Sequence, residues 1–235
     1  SYSVTGVQTC ALPICNFVGR GWNGAGFVNY YDGRTNPGEH AAPQAFWLEI
    51  DGQLLHSDWQ WAGFEKDGEA ADLHVVVTLK HAIRPVTVKV HTKLDGTAIL
   101  TRWLEVTNTG NAPAAIARAD SWSGVLQKTK RWQSHLGQTG LPLYSLGYMD
   151  GHRWGTEGSF HWHDLPAARY TVDGRYRRDR HRHPMFVLRN NATGEHFVGQ
   201  LAWTGGYSFE FDLEADRATT EVAAQLCFRA GPDAP

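Results

Sequence analysis

The sequence predicts an all-β protein, a large antiparallel sandwich. Apolar residues recur at every second position in many separate segments, and Gly-containing turns punctuate them. No segment holds a 3.6-residue apolar period over several turns. Many strands of this kind, each with one wet face, belong to antiparallel sheets that act as scaffolds.

Each element follows from its own residues. Phe46–Ile50 and Gln53–His56 flank Asp51-Gly52, a favoured two-residue hairpin turn. Ser57-Asp-Trp-Gln-Trp61, followed by Ala-Gly-Phe64, reads as an exposed aromatic loop. Leu73, Val75, Val77 and Leu79 alternate with polar neighbours, as do Val86, Val88 and Val90. Asp95-Gly96 then turns into a predicted hairpin across 97–126. In its first strand Leu100, Leu104 and Val106 share one face, and a Thr-Gly-Asn turn leads to the second strand. Residues 127–183 are polar and alternate weakly, although Leu143, Ser145 and Gly147 hint at a strand, as do Arg169, Thr171 and Asp173. Phe197–Trp203, Tyr207–Leu213 and Val222–Phe228 complete the strands of a single domain without linker or repeat.

Composition narrows the function. With 235 residues and 42% hydrophobic content the chain can bury a full core, and its net charge of -2 argues against general nucleic-acid binding. No apolar run is long enough for a membrane-spanning helix. Val4–Ile14 reads as a translated sequencing adapter, so residues 1–15 are expected to be a disordered artefact and junction. On that reading the gene is truncated, and residues 16–235 form the sandwich. Cys10 falls in the adapter and Cys15 at its junction, leaving Cys227 as the one secure cysteine, too few for a disulfide framework. The compartment is left open, with the cytoplasm as the first expectation.

Several constellations invite a chemical reading. Trp59 and Trp61 stand at alternate positions and would face one way in an extended segment, offering a stacking platform for a sugar ring. His161-Trp-His163 and the pair His181 and His183 repeat a two-residue spacing, but a metal site needs three or four converging ligands and none is read here. No cofactor motif is present in the sequence. Arg175–His183 is the strongest local charge run, diluted by Asp173 and Asp179. Arg177, Arg178, Arg180 and His183 are its candidate interface residues. Asn191-Ala-Thr193 fits the glycosylation sequon. Asp58, Asp120 and Asp150 are the nearest carboxylates to a catalytic role, and none has an evident partner.

Leu73–Leu126 resembles the β-sandwich domain that precedes the barrel in family 36 glycoside hydrolases, the α-galactosidases. The shared features are two strands, then TRWLEVTNTG, then a strand ending near Asp120-Ser-Trp. Gly151-His-Arg-Trp154 is similar to the family's Gly-x-x-Arg-x-Trp segment. Arg177–His183, followed by Pro184-Met-Phe, is similar to its Arg-Arg-Gly-x-Ser-Ser-His run before Asn-Pro-Phe. Glu195–Gly206 resembles its strand and Ser-Gly-Asn turn, with Thr204-Gly-Gly206 standing at the turn. The resemblance spans roughly 47–228, and the departures mark a divergent branch.

That resemblance implies a galactose-mutarotase-like β-supersandwich lying before a (β/α)8 barrel that carries both catalytic aspartates. Retaining glycosidases hold two carboxyl groups about 5 Å apart. The sequence offers no such pair, so no catalytic residue is assigned and the barrel is expected after residue 235. The fragment alone should then be inactive, while its parent is a retaining enzyme acting on α-galactosides. The missing barrel, an oligosaccharide and further copies in a homo-oligomer are the implied partners. Two alternatives stand beside it: a free carbohydrate-binding module using Trp59 and Trp61, or an aldose epimerase using Glu157 with His161 or His163.

Overall fold

The computed structural model describes residues 45–130, 142–149, 158–174, 182–203, 205–215 and 223–232. Among them every regular element is a strand and the strands pair antiparallel, so the all-β expectation holds. The chain divides into two compact units, one ending at Gly124 and the other beginning at Val125.

In the first unit, β1 (Trp47–Ile50) and β2 (Gln53–Leu54) form the expected hairpin. Asp51 and Gly52 both adopt positive φ, 51° and 73°, which matches the twist of the two strands. β3 (Trp59–Glu69), β4 (Asp72–His81), β5 (Val86–Asp95) and β6 (Leu100–Asn108) make a four-stranded meander in that order. The aromatic segment expected as a loop is therefore the start of β3. Its alternation is broken by a bulge between Trp61 and Gly63, which hides the strand period.

The hairpin expected across 97–126 does not form. β6 pairs with β5, whereas β7 (Ile116–Asp120) crosses to pair with β1 in a separate sheet ordered β2-β1-β7. The connection is too long for a tight turn and has its own anchors. Thr109 N donates to Pro85 O, Gly110 N to Asn108 Oδ1 and Asn108 Nδ2 to Ala112 O. Asp51 then receives the chain: Ala115 N donates to its Oδ1 at 2.8 Å, and its own N–H donates to Ala115 O. The apolar alternation of β6 is as read from the sequence, since Leu104 and Val106 pack on the core. That core joins the sheets through Leu48 and Ile50 of β1, Val77 and Leu79 of β4, and Val86, Val88 and Val90 of β5.

Between β4 and β5 a histidine shapes the turn. His81 Nδ1 accepts from Ile83 N at 3.2 Å and Arg84 N at 2.9 Å, a role open only to the neutral ring with its proton on Nε2. Burial holds the His81 pKa below its ordinary value, outweighing the opposing influence of Asp58.

The second unit contains β9 (Tyr144–Met149), β10 (Phe160–Asp164), β12 (Met185–Asn190) and β13 (His196–Gln200) in one sheet ordered β10-β9-β12-β13. A second sheet runs β11-β14-β15-β8, from β11 (Arg169–Gly174), β14 (Tyr207–Ala215), β15 (Ala223–Pro232) and β8 (Trp122–Lys130), whose first three residues belong to the first unit. Phe186 of β12 meets Phe209 and Phe211 of β14 and Phe228 of β15, with ring centroids 4.9 to 5.3 Å apart. These rings close the two sheets on each other, with Leu146, Leu188 and Leu226 fully buried beside them.

Two outcomes test this account. Phe186→Ala should cost about 3–5 kcal/mol in chemical denaturation, because it empties the contact shared by three rings. The folded pKa of His81 lies below its unfolded value of 6.5, so the folded state binds fewer protons and stability rises with pH across that interval. The contribution is fully present above 6.5 and lost as pH falls through the folded value. His81→Asn, which keeps an acceptor but cannot titrate, should show a shallower fall in thermal midpoint on acidification than the parent chain.

Candidate functional site

Trp59 and Trp61 both lie on β3, at register positions opposite His81 and Leu79. The structure gives them different surroundings. Trp59 is only 6% exposed, its indole N–H donates to Leu55 O at 3.1 Å, and its ring meets Phe46 and His81 edge-on at 5.3 and 5.0 Å. It is a core anchor with no open ring face. Trp61 is 49% exposed. The extra residue of the bulge, Ala62, turns Phe64 to the same side as Trp61. The two rings stack at 6.5 Å with an interplanar angle of 21°, and Phe64 is 50% exposed. Of the Trp pair read from the sequence, only Trp61 is open to solvent, and its ring partner is Phe64.

This pair exposes aromatic surface at the edge of a sheet, and exposed aromatic rings can meet the C–H face of a sugar. The carboxylates flagged from the sequence are otherwise engaged: Asp58 accepts from Ser57 Oγ at 2.7 Å, and buried Asp120 accepts from Arg118 Nε at 2.9 and 3.0 Å. Asp150 and Glu157 lie outside the described residues.

Arg177, Arg178 and Arg180 of the charge run also lie outside the described residues. His183 is exposed, and its carbonyl accepts the Tyr207 hydroxyl at 2.9 Å. His161 and His163 share β10 with rings 6.5 Å apart, and His163 stacks on Tyr148 at 4.7 Å. Among the described residues no group of three or more His, Cys, Asp or Glu is placed to hold a metal ion. The sequon asparagine is engaged on every side. Asn191 Nδ2 donates to Pro142 O and Ser145 Oγ at 2.8 and 2.9 Å, and its Oδ1 accepts from Arg189 Nε.

Two surface arrays escaped the sequence reading. On the wet face of the first unit, His74, His91 and Trp103 stack across β4, β5 and β6, with His91 and Trp103 4.5 Å apart and Glu105 3.4 Å from His91. On the second unit, Phe160 and Trp162 stand 5.4 Å apart, and the Arg189 guanidinium lies 4.8 Å from the Trp162 ring. Alternation marks the strands, but cross-strand neighbours depend on register, which the sequence does not spell out.

No protein-family model and no curated protein matches this chain. Solved structures do. A family 36 α-galactosidase from Geobacillus stearothermophilus, in complex with stachyose, matches over 84% of this chain and 30% of its own, with a TM-score of 0.56 and 13% identity. The galactosidase domain of an α-galactosidase–sucrose kinase matches over 83% of this chain and 29% of its own, with a TM-score of 0.54 and 14% identity. The chain thus spans less than a third of the length of either structure. At this identity the likeness is one of fold: the chain has the antiparallel all-β fold found within these α-galactosidase structures.

Proposed function

We propose that this chain is the non-catalytic sandwich part of an α-galactosidase-like glycoside hydrolase. The observation that carries this reading is the fold likeness, which takes in 84% of the chain but only 30% of the stachyose-bound enzyme. In the proposed parent a barrel supplies the two carboxylates of retaining hydrolysis and acts on α-galactosides. The sandwich supports that barrel and its oligomer contacts. Arg177, Arg178, Arg180 and His183 contribute to an interface, and Trp61, stacked on Phe64, lends an aromatic surface to the substrate.

A second reading, a free-standing carbohydrate-binding module, is favoured by the exposure of Trp61 and Phe64. The two are separated by extending the reading frame and assaying release of galactose from stachyose. The glycosidase reading expects release by a longer, barrel-bearing product and none by the 235-residue chain. Hydrolysis by the short chain would overturn its non-catalytic role, and a frame without a barrel would favour the module. In the barrel-bearing enzyme Trp61→Ala should raise KM roughly two- to tenfold with kcat little changed, the loss of one aromatic stacking contact. An unchanged KM removes Trp61 from the substrate path.

A further inference from the structure

The second unit holds a half-open cleft of about 390 Å3. Trp203, 44% exposed, forms one wall, and Pro184, Gln200, Arg182 and Tyr207 contribute to the others. The indole is held in place. Trp203 N donates to Leu201 O at 2.9 Å, and Leu201 N donates to Pro184 O at 2.8 Å, which pins the segment leaving β13. A Cβ on Gly205 would stand 2.7 Å from Trp203 Nε1, so the ring rests directly against the glycine backbone. Tyr207, buried, fixes its own wall by donating its hydroxyl to His183 O.

The electrostatics select the ligand class. Arg182 is the cation of the cleft, and its charge is already answered. Its Nη1 donates to Asp173 O at 3.1 Å and lies 3.7 Å from the Asp173 carboxylate, while its guanidinium sits 5.8 Å from the Tyr148 ring centroid. A phosphate or carboxylate ligand would have to compete with the Asp173 carboxylate for that charge. A neutral polyol need not. It can lay its C–H face on the indole and bring its hydroxyls to the Gln200 amide, which offers both donors and an acceptor.

We infer that the Trp203 cleft binds one neutral hexopyranose unit of an oligosaccharide, as a site separate from the Trp61–Phe64 surface. The choice of sugar as ligand class rests in part on the glycoside hydrolase reading; the site itself rests on the cleft. Its test is binding, independent of any hydrolysis. Isothermal titration of the 235-residue chain with stachyose and with methyl α-D-galactopyranoside should give a Kd in about the millimolar range. Trp203→Ala should weaken it by roughly tenfold or more, and Trp203→Phe by less, because a stacking face is retained. Gly205→Ala, which keeps the indole but displaces it, should also weaken binding at an unchanged thermal midpoint.

Binding that Trp203→Ala and Gly205→Ala leave intact overturns the cleft. If Trp61→Ala abolishes that binding, the carbohydrate reading survives with the sugar on β3. No binding to the parent chain overturns the cleft as a sugar site, whatever a barrel-bearing enzyme does to stachyose.

Discussion

An antiparallel sheet with one apolar face is stable only when that face is covered, and this requirement organises both units. In the first, Leu79, Val88 and Val90 are covered by Leu48 and Ile50 from the small sheet. In the second, Phe186 on one sheet is enclosed by Phe209, Phe211 and Phe228 on the other. Burial of this kind is non-directional and grows with area. It explains why the strands pair off into facing layers, but not which strand joins which layer. Directional contacts decide that.

Asp51 is the clearest case. It occupies a left-handed turn position that few side chains accept, and its two carboxylate oxygens serve different segments. Oδ1 takes the Ala115 N–H, and Oδ2 takes the Arg84 guanidinium at 2.7 Å. One residue thus gathers the β1–β2 turn, the β4–β5 connection and the arrival of β7. The chain is steered across to the small sheet instead of folding back on β6.

How much of this could be read from the sequence follows the same division. Alternation exposed β4, β5, β6 and β14 residue by residue, because one face of each meets solvent or ions while the other is buried. The Asp51-Gly52 turn was legible because it is local. The partner of β7 was not, since it depends on a contact 64 positions apart, between Asp51 and Ala115. β12 (Met185–Asn190) was likewise obscured: only Met185 and Phe186 stand out in the sequence, and as the end of the Arg-rich motif. For the candidate site, the alternate spacing marks Trp59 and Trp61 as a pair, but spacing alone does not say which of them is buried. That depended on Phe46, His81 and the bulge at Ala62. Phe64 was visible in sequence, yet its pairing with Trp61 needs the extra residue of the bulge to turn it round.

The turn joining β12 to β13 has a practical side. Asn190 Oδ1 accepts from Ala192 N and Thr193 N, and Asn191 spends both hydrogens of its amide on Pro142 and Ser145. In a eukaryotic secretory host an N-glycan is attached to that same nitrogen while the chain is still emerging. A glycan there would take one of the two hydrogens and put a bulky branch where Ser145, only 3% exposed, is buried. The motif is compatible with the fold only when it stays bare. A bacterial host, or a threonine-free turn in a yeast one, is therefore the natural route to intact material.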